Sequence, residues 1–138
     1  MDPSFEITLG SDVGEIPDVS ARLGEAMGAY GFSPEDILDS QLAVEEVITN
    51  VIVHGYRGPG NIIHLSCRFT GDLAEIRVSD SAPRFDPLLL PEPELDANIE
   101  DRQIGGLGIY LVRQVMDSLS YSYENDMNVL TMRKKKSS

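Results

Sequence analysis

The chain is 138 residues long, 41% of them apolar, and 11 Lys and Arg stand against 23 Asp and Glu for a formal charge of −12. A chain of this size buries roughly two thirds of its unfolded surface around one core, so a single domain is expected over residues 1–138, with its core at about 5–133. The negative field repels phosphate backbones and anionic lipid, and no apolar run approaches the ~18 residues of a membrane span, so neither nucleic acid nor membrane is expected as a partner.

The start, Met1-Asp2-Pro3-Ser4, has neither the basic residues nor the apolar stretch of a signal peptide. Cys67, the one cysteine, cannot form an intramolecular disulfide, so a cytoplasmic location is expected. Phe5, Ile7 and Leu9 alternate with polar residues and predict a short half-buried strand closed by Gly10. Asp12 and Glu15 resemble a capping box, and Ile16, Val19, Leu23, Met27 and Tyr30 follow at helical spacing, which predicts a first helix over about 13–30. Gly31 stops it, and Ser33-Pro34-Glu35-Asp36 opens a second, with Ser as N-cap and Pro in the first turn. That helix is expected to run from Pro34 to His54, apolar around much of its circumference and therefore largely buried.

Two strands are predicted over about 61–69 and 73–79, joined at Thr70-Gly71-Asp72. The period of two puts Asp80 on the same face as Ala74, Ile76 and Val78, so its side chain should point into the core. Residues 80–104 hold four of the eight prolines and seven acids, the mark of a lid, a binding loop or disorder. Gly105-Gly106-Leu107-Gly108 then opens a third helix, with Ile109, Val112, Met116 and Leu119 on one face. A final hairpin over about 119–124 and 127–133 turns at Asn125-Asp126. This order predicts an α+β two-layer sandwich, a mostly antiparallel sheet with helices on one face. Residues 1–132 carry seven basic groups against 23 acidic ones, a net of −16, and the remaining basic run, Arg133 to Lys136, reads as a solvated, frayed end.

Three features stand apart from core building. Glu46 and Asn50, four apart on the second helix, set a carboxylate beside a carboxamide. Taken alone, such a pair is more often a solvated stripe or a buried hydrogen bond than a functional site. Asp80 is an inward acid before an irregular segment, a site residue or a turn-forming Asp. Gly105-Gly106-Leu107-Gly108 offers unshielded backbone N–H groups to an anion at a helix start, but it matches neither the P-loop nor the dinucleotide fingerprint. Glu45 is turned away from Asn50 and reads as solvated or salt-bridged, His54 and His64 as structural, and Cys67 as a small core residue.

In that order the three features resemble the N, G1 and G2 boxes of the Bergerat-fold, histidine-kinase-like ATPases. Leu42-Ala-Val-Glu-Glu-Val-Ile-Thr-Asn-Val-Ile-Val-His-Gly-Tyr56 and the run from Gly105 to Asp117 are similar to the anti-sigma factor serine/threonine kinases, over about residues 5–133. The resemblance implies ATP and Mg²⁺ as cofactors, with Asn50 on the metal, Glu46 as general base and Asp80 accepting from the adenine amino group. It further implies phosphate contacts from the backbone of Gly105, Gly106, Leu107 and Gly108, a lid over 81–104, and Thr131 near the adenine. The implied function is a serine protein kinase that binds a sigma factor and phosphorylates a serine of its STAS-domain anti-anti-sigma antagonist, acting as a homodimer. One position departs from the pattern. Ala82 and Pro83 stand where the family's Asp-x-Gly box has its glycine, and a Cβ costs ~1 kcal/mol or more if left-handed geometry is required. The alternative is therefore a regulatory module that binds the same partners with catalysis weakened or lost.

Overall fold

The computed structural model describes residues 4–56, 60–89 and 106–137. Gly105 and the greater part of the expected lid lie outside them. Strand β1 (Ser4–Gly10) leads into a 3₁₀ turn, Val13–Glu15, and then helix α1 (Ile16–Ala29). Asp12 caps the turn by accepting from Gly14 N at 2.9 Å, and Glu15 reaches back to accept from Gly10 N at 3.0 Å. Helix α2 (Pro34–Asn50) begins as expected, with Ser33 Oγ accepting from Asp36 N at 3.2 Å. It does not continue to His54 as an α-helix. Val51–Tyr56 instead widen into a π turn, a distortion found frequently at functional sites.

Strands β2 (Ile62–Thr70) and β3 (Leu73–Asp80) precede helix α3 (Gly106–Val115), and β4 (Ser118–Glu124) and β5 (Met127–Lys135) complete the fold. The sheet is antiparallel throughout, in the order β1-β2-β3-β5-β4. Its final hairpin turns where Asn125 and Asp126 both have positive φ, 52° and 63°, the geometry of a two-residue turn matched to strand twist. Registered pairs such as Leu65 with Val78 and Val78 with Leu130 place the apolar members of each strand on one face. Those side chains form one core with Val19, Leu23, Met27, Val44, Val47, Ile48 and Val112 of the helices. The opposite face is largely polar, so the two-layer α+β architecture is as the alternation predicted.

Small residues set the distance between α1 and α2. Ser20, Gly24 and Gly28 recur one turn apart, and a Cβ at Gly24 would lie 2.6 Å from Gln41 Nε2. In that space Gln41 Nε2 donates to Ser20 O at 3.0 Å, and Ser20 Oγ donates to Glu45 Oε2 at 3.4 Å. Glu45 thus serves the helix pair, on the side away from Asn50.

The basic end of the chain is not frayed. β5 continues to Lys135, and inward-facing Lys134, 9% exposed, donates to Asp39 Oδ2 at 3.0 Å and to Val115 O at 2.6 Å. A cation there meets the negative end of the α3 dipole, and its aliphatic stem covers apolar surface. Lys136 Nζ lies 4.8 and 5.4 Å from the ring centroids of Tyr30 and Phe32, within cation–π range. Ser137 donates to Asp36 through both N and Oγ, at 2.9 and 3.0 Å. Burial pushes the Asp36 carboxyl up, but the bonds from Ser137 and Ser33 and the Lys134 charge outweigh it and hold it below its ordinary range. The stability Asp36 contributes is therefore present above the ordinary carboxylate range and lost as pH falls through its lowered value.

Lys134→Ala should destabilise the domain by ~2 kcal/mol, less than for a fully buried pair because Asp39 keeps solvent contact. Lys135→Ala, at an exposed position, should stay within ~0.5 kcal/mol, and urea unfolding of the two variants checks both.

Candidate functional site

The end of α2, its π turn, the end of β3, the first turn of α3 and the strands β4 and β5 converge on one open cavity. The cleft holds about 490 Å³ of empty space, its open mouth included. Asn50 and His54 line it from the α2 side, Asp80 and Ala82 from the β3 side, Ile109 from α3, and Tyr121 and Asn128 from the last hairpin. Apolar walls come from Val47, Val78 and Leu130. A mostly apolar cavity with a few polar groups suits a ring system with a polar edge.

Asp80 is 5% exposed, as its strand parity predicted. Burial raises its carboxyl above the ordinary range, and bonds from Asn128 and the Ala82 backbone counter it. Both end on Oδ1, from Asn128 Nδ2 and Ala82 N, each at 3.0 Å. Oδ2 has no protein donor among the described residues and remains available to a ligand.

Asn128 is the residue that sequence reasoning missed. It lies opposite Asp80 in the β3–β5 ladder, 7% exposed, and its Nδ2 also donates to the carbonyls of Ala82 and Pro83 at 3.1 and 3.2 Å. Its Oδ1 accepts from Tyr121 Oη at 2.5 Å and Phe85 N at 3.0 Å. One signal could have found it: β5 alternates Asn128, Leu130 and Met132 on the inner face, so a polar residue stands in a core phase directly after the turn. The same parity corrects the expectation for Thr131. It pairs with Arg77 and Ser120 on the outer face and is not part of the cavity wall.

The His54-Gly55-Tyr56 run has a geometric meaning. Tyr56 Oη donates to Ile62 O at 2.7 Å and accepts from Ser81 N at 2.6 Å, tying the segment after β3 to the start of β2. A Cβ at Gly55 would stand 3.1 Å from the Cβ of Ala82, so a residue without a side chain faces the alanine. Ala82 itself needs no left-handed backbone: among the described residues only Asn125 and Asp126 combine a side chain with positive φ. The strain expected at Ala82 is absent, and its methyl is 4% exposed against the π turn.

Glu46 lies one turn before Asn50, beside α3 and outside the cavity wall. A Cβ at Gly108 would come within 2.8 Å of Glu46 Oε2, so this glycine lets the first turn of α3 settle over the carboxylate. Gly106 is the first residue of α3. The first N–H groups of that turn, which have no intrahelical acceptor, and its positive dipole end lie on the Glu46 side of the site and suit an anion. Leu107 is in the same turn, and Gly105 lies outside the described residues. Arg113 fixes α3 to the segment after β3 by donating to Leu88 O at 2.8 Å.

Other candidates take structural places. Cys67 is fully buried, its thiol pushed up to about 12 by desolvation, which fits a core residue. Among the described residues no three His, Cys, Asp or Glu side chains gather as a metal cluster, and no helix is long and apolar enough to cross a membrane. His64 is on the outer sheet face, whereas His54, read as structural, lines the cavity.

Residues 9–134 match the histidine kinase-like ATPase domain family. The serine-protein kinase RsbW of Listeria innocua is 33% identical over 105 residues, which cover 72% of this chain and 67% of that protein. RsbW of Staphylococcus aureus is 30% identical over 131 residues, covering 91% and 82%. The serine/threonine-protein kinase BtrW of Bordetella bronchiseptica is 32% identical over 93 residues, covering 66% and 65%. A solved structure of the RsbU and RsbW domains of Rv1364c from Mycobacterium tuberculosis superposes with a TM-score of 0.67 at 18% identity, over 96% of this chain. That likeness concerns the fold, and this chain spans about a third of the length of the solved one, 32%.

A raised folded-state carboxyl lends stability below its unfolded value that is lost as pH rises through the folded value. Asp80→Asn retains an acceptor for both protein donors, so the ligand-free variant should melt higher than the wild type at neutral pH. The gain should vanish near pH ~3, where the carboxyl is protonated in both states; thermal melts across pH check the sign.

Proposed function

The chain belongs to the histidine kinase-like ATPase domain family, alongside the RsbW serine-protein kinases, and we propose that it transfers the γ-phosphoryl group of ATP to a serine of a partner protein. The observation that carries this reading is the joint placement of Asn50, Asp80 and Glu46. The first two line one cavity, and the third lies a helical turn away beneath the anion-attracting start of α3. Asp80 Oδ2 accepts from the exocyclic amino group of adenine, with the ring between the apolar walls. The backbone of Gly106, Leu107 and Gly108, preceded by Gly105, receives the phosphates.

Asn50 offers the kind of donor Mg²⁺ takes, a single hard oxygen at a site where phosphates and water complete the coordination. Held by Asn50, the metal would supply charge neutralisation to the phosphates. Glu46 accepts the proton of the attacking serine hydroxyl as its oxygen bonds to the γ-phosphorus and the bond to the ADP oxygen breaks. Residues 81–104 then act as the lid that excludes water. The resemblance of residues 42–56 and 105–117 to the anti-sigma factor kinases supports extending the reading to anti-sigma control in the cytoplasm. A sigma factor and its STAS-domain antagonist would be the partners, and a homodimer the working state.

Ala82 adopts no left-handed backbone, which supports the catalytic reading over a catalytically weakened module. Incubation with labelled ATP, Mg²⁺ and an anti-anti-sigma antagonist should yield phosphoserine on the antagonist. Glu46→Gln should lower that rate by ~100-fold or more, the range of a lost general base, with MgATP affinity nearly unchanged. Chelating Mg²⁺ should abolish nucleotide binding measured by calorimetry, and binding of equal strength without the metal would count against the Asn50 assignment.

A further inference from the structure

Asn128 is buried, fully engaged and unassigned by the reading above. We propose that it is the positioning residue of the base site: it clamps one oxygen of Asp80 so that only the other faces the ligand. The site is thereby restricted to bases that present a donor at that point. This inference rests on the nucleotide reading of the cavity and adds a residue and a selection rule to it.

The orientation of the Asn128 amide is settled by neighbours whose polarity is not in question. Phe85 N–H can only donate and the carbonyls of Ala82 and Pro83 can only accept, so the bond to Phe85 marks the oxygen and the two carbonyls mark the nitrogen. A flipped amide would set donor against donor at Phe85 and acceptor against acceptor at three places. Nδ2 therefore faces Asp80 Oδ1, and it does so as a donor.

Three strands share the arrangement: Tyr121 on β4 donates to Asn128 on β5, which donates to Asp80 on β3. Ala82 N adds a second donor to the same Asp80 oxygen. Two donors on Oδ1 favour the ionised carboxylate in a place where burial opposes it. An ionised carboxylate is an acceptor only, so Oδ2 pairs with an amino group and meets a keto oxygen in repulsion. Because Nδ2 and Oδ1 of Asn128 are both occupied within the protein, the selection is exerted through Asp80 and not by direct contact with the base.

The test compares MgATP with MgITP, which carries a keto oxygen where ATP has its amino group. The wild-type chain should prefer ATP by ~100-fold or more, as sites built around a hydrogen-bonding substrate group do. Asn128→Asp is isosteric and sets an acceptor against Asp80; Asn128→Leu removes both polar ends. In either variant that folds, the preference should shrink to within ~10-fold. The loss should fall on KM for ATP far more than on kcat at saturating nucleotide, a split that general destabilisation would not produce.

A second readout needs no nucleotide: the Asn128 side-chain amide protons should exchange with water ~100-fold more slowly than those of exposed Asn125, and should shift in Asp80→Asn. Equal wild-type affinity for the two nucleotides overturns the proposal, as does unchanged preference in a folded Asn128 variant. If the wild type binds neither nucleotide, the nucleotide reading fails by itself. The exchange rates then decide the clamp, and fast exchange overturns it.

Discussion

A carboxylate buried at the inner end of a central strand sets the conditions for everything around it. Asp80 stands among apolar walls where an unpaired charge would be strongly unfavourable, so its donors must be supplied by the fold. One comes from the backbone two residues on, the other from the side chain paired with it on β5. Satisfying those bonds fixes the path of residues 80–85: the chain folds back across Asn128, which gathers the carbonyls of Ala82 and Pro83 and the N–H of Phe85. The cavity wall is in this sense a consequence of solvating one charge from within, and the same constraint leaves a single carboxylate oxygen for a ligand.

Close approach is the second theme. Gly55 faces the Ala82 methyl and Gly108 faces the Glu46 carboxylate, each so closely that an added Cβ would force its neighbour to shift. The first contact seats the β3 segment on the π turn that ends α2. The second lays the start of α3 over the same helix. Since α2 carries both Glu46 and Asn50, these two glycines bring three separate stretches of sequence to one site. Tyr56 secures the junction by joining β2 to Ser81.

Electrostatics acquires a local meaning from the fold. Four of the few cations are engaged in holding elements together: Lys134 on α2 and α3, Lys136 on the rings of Tyr30 and Phe32, Arg133 on Glu75, and Arg113 on Leu88 O. Arg84 lies over the ring of Tyr123, 5.1 Å from its centroid. Under the proposed nucleotide reading, an acidic chain would draw on dipoles and a divalent cation instead of a basic surface, with Asn50 and the α3 N-terminus as the groups to supply them.

The sequence by itself determined the element order, the inward direction of Asp80, the helical proximity of Glu46 and Asn50 and the turn at Asn125-Asp126. Each of these follows from a local period or a local backbone requirement. Its reading failed wherever the answer depended on a distant partner. Helix α2 widens after Asn50 in the segment where Tyr56 reaches Ile62 and Ser81; the basic tail is held by Asp36, Asp39 and two aromatic rings; Ala82 packs against Gly55. Thr131 was matched by type, whereas the ladder register admits Asn128 to the cavity and turns Thr131 away. Register and close packing are settled between segments far apart in the chain, so only the tertiary structure could decide which polar residue of β5 meets the buried carboxylate.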